Sequence, residues 1–243
     1  MDYQHIVILT GAGVSAESGI PVFRSETGLW ENHRVEDVCV PSALVRNPQL
    51  VHDFYNNMRQ GLKTKLPNEA HRAIAKLQQE WPSRGGSVTL VTQNIDDLHE
   101  KAGSMEVIHM HGELNSLWCT ACGKRFYFDG ISSPQMLCPY CGKAAVRPDI
   151  VFFEEIPYHM EEILAALLQC DLFIAVGTSG VVYPAAGFCQ YARAQDSLCV
   201  EFNLERSAVA TSFHYGLYGK ASVTLPAFVN HLLATGEPLK QLS

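Results

Sequence analysis

His5-Ile6-Val7-Ile8-Leu9-Thr10-Gly11-Ala12-Gly13-Val14-Ser15-Ala16-Glu17-Ser18-Gly19 is a short β-branched run that stops at a glycine-rich turn. An apolar run of this length, bounded by turn residues, is the pattern of a strand buried on both faces of a parallel sheet. The glycines permit a sharp turn and let backbone amides approach a pyrophosphate at the start of a following helix. Their spacing, G-x-G, five residues and a third glycine, departs from the dehydrogenase fingerprint G-x-G-x-x-G. By itself the segment is either a nucleotide loop or a tight structural turn. Ile20-Pro21-Val22-Phe23-Arg24 follows, ending in an arginine that core packing alone does not explain.

The same strand pattern recurs at Ser87–Thr92, Asp171–Gly177 and Ser197–Asn203. Between these runs lie helix-length stretches: Asn68–Glu80, with Ala70, Ile74 and Leu77 at helical spacing, and Met160–Gln169. Strands alternating with helices predict an α/β fold, a Rossmann-like doubly wound parallel sheet. Two insertions interrupt the alternation, Glu31–Leu66 (helical and loop-like) and Leu114–Arg147 (cysteine-bearing). The expected organisation is a discontinuous Rossmann-like domain over 1–30, 67–113 and 148–243. A small domain over 31–66 and 114–147 joins a helical module to a zinc-binding ribbon.

The 243 residues, 47% of them hydrophobic and 18% charged, suit a globular enzyme with a sizeable core. A formal charge of −7 and the lack of a basic stripe argue against nucleic-acid binding and are compatible with basic peptide partners. No apolar run is long enough for a membrane span, and the first strand begins too early for a signal peptide, so the expected location is cytoplasmic. In a reducing compartment the cysteine pairs read as metal ligands.

Cys119-x2-Cys122-x15-Cys138-x2-Cys141 is the most specific local signal. Four thiolates on two chelating turns make a closed tetrahedral zinc site with no open position for water, hence a structural metal. The alternatives are disulfides or an iron–sulfur cluster. Cys39, Cys170, Cys189 and Cys199 lack such partners, and the last three lie in core-like stretches. Gln93-Asn94-Ile95-Asp96 follows a strand, where ligands bind in open α/β sheets, or else Asn94 and Asp96 cap the next helix. His109-Met110-His111-Gly112 holds two alternating histidines, of which an extended chain turns one each way. One is a candidate general base, and Gly112 would allow close approach of a substrate. Gly177-Thr178-Ser179 and Asn203-Leu204-Glu205 end two further strands, with groups suited to ribose, phosphate or adenine; ordinary turns would read alike.

Taken together, GAGVSAESGIPVFR, QNID, HMHG, the paired CxxC, GTS and FNLE resemble the sirtuins, NAD-dependent protein deacylases, in particular their bacterial CobB type. The resemblance runs from about His5 to Leu233, with the motifs in family order. It implies that NAD is consumed as a co-substrate and that acyl-lysine proteins or peptides are the partners. Cofactor contacts are implied for Gly11, Ala12, Gly13, Ala16, Glu17, Phe23, Arg24, Trp30, Gln93, Asn94, Ile95 and Asp96. Gly177, Thr178, Ser179, Asn203, Leu204, Glu205 and Ala221 match contacts to the adenosine half. His111, not His109, matches the catalytic base, and Asn94 joins it in the catalytic set. Val151 and Phe153 match a strand that pairs with the substrate backbone. In the implied reaction the acyl oxygen attacks the nicotinamide ribose, nicotinamide leaves, and His111 deprotonates a ribose hydroxyl. The acyl group ends on ADP-ribose.

Three positions depart from the pattern: Glu154 replaces a usual glycine, Cys39 a small alanine, and Met58 the arginine of the Tyr-x-x-Arg pair that holds acidic acyl groups. Tyr55 is retained, and Tyr55 and Met58 are the expected acyl-binding positions. Arg59, one residue late, is rotated about 100° around the helix, which leaves open whether its long side chain reaches the acyl carboxylate. The expected enzyme is mainly a deacetylase with weak desuccinylase activity. Competing readings are mono-ADP-ribosyl transfer, a zinc-ribbon nucleic-acid binder and a reversible NAD dehydrogenase. Nicotinamide release that depends on an acyl-lysine peptide separates all three.

Overall fold

The computed structural model describes residues 3–21, 29–30 and 33–240. The elements run β1 (His5–Thr10), a hairpin of β2 (Leu29–Trp30) and β3 (His33–Arg34), then α1 (Val35–Val38), α2 (Pro41–Arg46) and α3 (Pro48–Leu62). Next come α4 (Glu69–Glu80), β4 (Ser87–Thr92), α5 (Leu98–Lys101), β5 (Val107–His109), β6 (Gly112–Cys119), β7 (Arg125–Tyr127) and β8 (Val146–Ile150). The chain closes with α6 (Met160–Leu168), β9 (Leu172–Val176), α7 (Phe188–Arg193), β10 (Leu198–Asn203), β11 (Tyr215–Tyr218) and α8 (Ala221–Thr235).

The main sheet has the order β11-β10-β9-β1-β4-β5, and every pairing in it is parallel. Alternate residues of each strand enter separate cores, as a period of two requires. Ile6, Ile8 and Leu90 pack with Ile74 and Leu77 of α4 and Leu225 and Phe228 of α8. Val7, Leu9 and Val91 pack on the other face with Ile163 and Leu167 of α6 and Phe188 of α7. Helices on both faces of a parallel sheet make this a doubly wound, Rossmann-like architecture. The chain winds outward from β1 through β4 and β5, then returns to β9 on the other side of β1. That reversal is the switch point beyond whose carboxyl ends such sheets bind ligands.

The predicted strands are all present, with β9 and β10 each starting one residue inside the expected range and β9 also ending one residue earlier. Asn68 precedes α4 as its cap: its side chain accepts from Ala70 N–H, and its own N–H donates to His71 Nδ1. One expectation changes. The glycine loop opens no α-helix, only two three-residue 3-10 turns, Ala12–Val14 and Ala16–Ser18. Gly11 N–H instead donates to Val176 O and Gly13 N–H to Gly177 O. A Cβ on Gly11 or Gly13 would sit 2.7 Å from the backbone of Gly177, so these glycines let the loops after β1 and β9 touch.

The insertions form a second layer. Helices α1 to α3 bury Val38, Ala43, Val51, Phe54 and Tyr55 against Leu114, Ile150 and Phe152. Antiparallel β7-β6-β8 forms the ribbon, where Leu117, Cys119, Cys138 and Val146 make a small separate core.

Candidate active site and metal centre

The sulfurs of Cys119, Cys122, Cys138 and Cys141 all lie within 4.8 Å of one another. The Cys119–Cys141 and Cys122–Cys138 separations are 3.7 and 3.8 Å. Tetrahedral zinc with Zn–S bonds of about 2.3 Å requires sulfurs about 3.8 Å apart. No such pair is a disulfide, since S–S bonds are about 2.05 Å. The two turns are alike: Gly123 N–H donates to Cys119 O and Gly142 N–H to Cys138 O, with φ of 75° and 70° at the two glycines. The donor set fits one structural Zn2+.

A cavity of about 630 Å³ opens at the switch point, within the usual size range of small-molecule sites. Its walls bring together Gly11, Ala12, Gln93, Asn94, Ile95, Asp96, His111, Gly177, Thr178 and Ser179, from segments that follow different strands. Met58 of α3, and Val151 and Phe153 just after β8, line it as well. Gly13, Ala16, Glu17, Tyr55, Asn203, Leu204, Glu205 and Ala221 are not among its described walls. Phe23 and Arg24 lie outside the described residues, and Trp30 is placed only by its strand β2.

Several off-wall residues still act on the site. Glu17 accepts from Ser222 N–H and Oγ–H at 3.0 and 2.7 Å, tying the glycine loop to the start of α8 beside Ala221. Asn203 donates to Thr178 O at 3.1 Å, while Thr178 Oγ1 receives Gln93 Nε2–H at 3.1 Å. Glu201, fully buried in β10, accepts from the Ser207 and Tyr218 hydroxyls and braces that rim.

Behind Asn94 and Asp96 lies a closed polar network. Ser15 Oγ–H donates to Asp96 Oδ2 at 2.9 Å and accepts from Asn94 Nδ2–H at 3.1 Å. His71 Nε2 stands 3.3 Å from the same oxygen. Because His71 Nδ1 accepts from Asn68 N–H, Nε2 carries the proton and the ring is neutral. Burial, chiefly, lowers its pKa to about 4. Asp96 is pushed up, above all by burial, while the Leu98 N–H and Ser15 contacts oppose that shift. The capping reading of Asp96 holds, since Asp96 Oδ1 accepts from Leu98 N–H at the head of α5. Ser15 and His71 were not singled out from the sequence. Their signal, buried polar residues at helix or loop starts, is shared by many structural positions.

The alternation of the two histidines is real. His109 is 7% exposed and turned away from the cavity, whereas His111 lines it. His111 Nδ1 lies 3.1 Å from Gln93 O, a pure acceptor, so Nδ1 bears the proton and Nε2 is left as a base. Burial lowers the His111 pKa, partly offset by the Gln93 carbonyl. Gly112, with φ of 83°, serves a close approach within the protein itself: a Cβ there would run into Asp149 O, so the glycine admits the ribbon strand β8. That contact sets the next strand: Val151 N–H donates to His111 O at 2.9 Å, and Phe153 N–H to Cys39 O at 2.9 Å.

On the side of α3, Met58 joins Cys39, Phe54, Ile95, Leu114 and Phe152 on the wall. Tyr55 is wholly buried with its hydroxyl against the Cys39 thiol. Arg59 is 1% exposed and faces the ribbon, donating to Leu114 O, Gly130 O and Asn56 Oδ1. Its reach toward the cavity is thereby settled: rotated to the other flank of α3, it pins the helix to the ribbon. Glu154 adopts a left-handed φ of 77°, which accounts for a glycine preference there. A left-handed non-glycine residue costs roughly 1–2 kcal/mol, part of which glycine returns as unfolded-state freedom. Glu154→Gly is therefore expected to raise stability by about 0.5–1 kcal/mol in urea melts; a destabilised variant would show that the glutamate makes compensating contacts.

A nucleotide-sized cavity at the switch point of a parallel sheet, with a neutral histidine base on its wall and a thiolate metal ribbon beside it, defines a nucleotide-using enzyme. The Sir2 family model matches residues 11–184. An NAD-dependent protein deacylase of Vibrio cholerae is 48% identical over 99% of this chain and 98% of its own length. One from Trypanosoma brucei brucei is likewise 48% identical over 94% of each chain. Among solved structures, a Sir2 homologue–NAD complex superposes with a TM-score of 0.86 at 35% identity, covering 97% of this chain and 91% of that one. A Sir2–p53 peptide–NAD+ complex gives 0.77 at 30% identity, covering 97% and 94%. The chain belongs to the Sir2 family.

Proposed function

We propose that this chain is an NAD-dependent protein-lysine deacylase, mainly a deacetylase, that moves the acyl group from lysine to ADP-ribose and releases nicotinamide. The observation that carries the reading is His111: a cavity-wall imidazole whose Nδ1 proton is held by Gln93 O, leaving Nε2 to accept a proton. Gln93, Asn94, Ile95 and Asp96, with Gly11, Ala12, Gly177, Thr178 and Ser179, would hold NAD, which supplies an electrophilic ribose carbon when bound. Gly13, Ala16, Glu17, Phe23, Arg24, Trp30, Asn203, Leu204, Glu205 and Ala221 are assigned to the same subsite, several as its supports. Asn94, oriented through Ser15, would align the ribose, and His111 would take a proton from its hydroxyl. Val151 and Phe153, held beside His111 and Cys39, would pair with the acyl-lysine peptide backbone.

The division into a nucleotide domain and a small domain, at the boundaries expected above, belongs to this reading. So does a cytoplasmic location, because four free thiols at zinc-ligand spacing suit a reducing compartment. No described helix is long and apolar enough to cross a membrane. Incubation with NAD and an acetyl-lysine peptide should release nicotinamide only when the acyl group is present. Peptide-independent release with ADP-ribose left on protein would point to ADP-ribosyl transfer instead.

Acyl preference follows from Met58 and from Arg59 being occupied elsewhere. The acyl region offers a thioether and apolar side chains where an acidic acyl group needs a cation. Losing one charge-assisted hydrogen bond costs about 1.5–3 kcal/mol, or about 10–200-fold in kcat/KM. Matched acetyl and succinyl peptides should differ by about tenfold or more in favour of acetyl, and Met58→Arg should narrow the gap. A wild type that prefers succinyl would overturn this.

A further inference from the structure

Each histidine of His109-Met110-His111 holds one carbonyl of the same loop: Nδ1 of His111 lies 3.1 Å from Gln93 O, and Nδ1 of His109 lies 3.1 Å from Asn94 O. Their second nitrogens differ. His109 Nε2 is 2.7 Å from Glu100 Oε1 on α5. A carbonyl and a carboxylate only accept, so both contacts are hydrogen bonds only if both ring nitrogens carry protons. The Asn94 N–H is already engaged with Thr92 Oγ1 and its side-chain Nδ2–H with Ser15 Oγ. His109 therefore holds the last main-chain group of a residue that lines the cavity.

We infer that His109 is a positioning residue: as an imidazolium bridging Asn94 O and Glu100, it fixes the Gln93–Asn94 loop on which NAD is seated. This rests on the deacylase reading above. The charged groups around the ring agree with it. Glu100 reaches it from α5, Glu113 from β6 and Asp96 from the loop, while His99 of α5 is kept uncharged by burial. Burial of His109 opposes its charge, yet the Glu100 hydrogen bond and charge, then Glu113 and the Asn94 carbonyl, raise its pKa overall. A raised pKa means the bridge is complete at lower pH and is lost as pH rises through the folded value. Deprotonation leaves a bare ring nitrogen facing one of two acceptors, and the loop loosens. His111, on the opposite face, keeps its own carbonyl and stays a neutral base.

The expected signature is a KM for NAD that rises about tenfold on the alkaline side while kcat at saturating NAD holds, the loss of one charge-assisted hydrogen bond. Glu100→Gln should move that rise to lower pH. His109→Gln should raise KM and flatten its pH dependence. NMR of 15N-labelled imidazole supplies a readout without turnover: both His109 nitrogens should stay protonated to a pH above the ordinary histidine midpoint of about 6.5, with a lower midpoint in Glu100→Gln. A His109 midpoint at or below that ordinary value, or superimposable KM profiles for wild type and Glu100→Gln, overturns the inference. In a preparation that releases no nicotinamide the deacylase reading fails, whereas the NMR titration decides the bridge on its own.

Discussion

Cys138→Ser is expected to release the metal, unfold the ribbon and abolish turnover, although the sulfurs take no part in the chemistry. Structural zinc sites bind with about 10–16 kcal/mol of apparent free energy, more than most domains have in reserve. The ribbon's other resources are slight: its own core is Leu117, Cys119, Cys138 and Val146, with partly buried neighbours. Loss would travel by a short path. β8 pairs with β6 from Cys119↔Val146 to Gly112↔Ile150, and the next residue, Val151, is bonded to His111 O. Arg147 of β8, stacked over Phe152, forms two hydrogen bonds with Glu155 at 2.6 and 3.0 Å and fixes the bend between them. Elemental analysis should find one zinc per chain, and thermal melts should show a large drop in the variant. A metal-free protein of unchanged stability and activity would end the structural-zinc account.

His111→Ala should lower kcat by about 10²–10⁴, the usual worth of a positioned proton acceptor. His109→Ala should leave most of kcat and act on the KM for NAD. The acid limb of the wild-type kcat profile should fall below the ordinary histidine range, because burial lowers the His111 pKa. The sign is that the base works in its neutral form, so activity holds above the folded pKa and falls as pH drops through it. The same depression makes His111 and His71 favour the fold at neutral pH, a contribution lost as the pH falls from the unfolded histidine value of about 6.5 through each folded value. Reversed effects of the two substitutions would mean that the roles of the histidines had been exchanged.

Much of the architecture was legible because it depends on local pattern. Strands buried on both faces must be apolar throughout, so β1, β4, β9 and β10 stand out as unbroken runs. Asn68 and the helical spacing after it announce α4. The metal site was legible for the same reason: each chelating turn is complete within five consecutive residues, Cys119–Gly123 and Cys138–Gly142. By contrast, β11 at Tyr215–Tyr218 and α8 carry weaker marks, the helix being apolar around most of its surface with Pro226 inside it. Periodicity says little when apolar residues also stand on the solvent face, as Val223 does here.

What the sequence by itself determined was therefore the sheet, the zinc ligands and, through the motif set, the family. Tertiary structure alone decided what each of those residues does. Gly11, Gly13 and Gly112 answer to backbones distant along the chain, Gly177 and Asp149, and no local spacing reveals that. Glu17 caps α8 instead of lining the cavity, and Arg59 serves the ribbon instead of the cavity wall. The protonation states of His71, His109 and His111 follow from which acceptors or donors meet each ring nitrogen. Those partners come from separate strands and helices, and hydrogen-bond direction and burial exist only once the chain has folded around them.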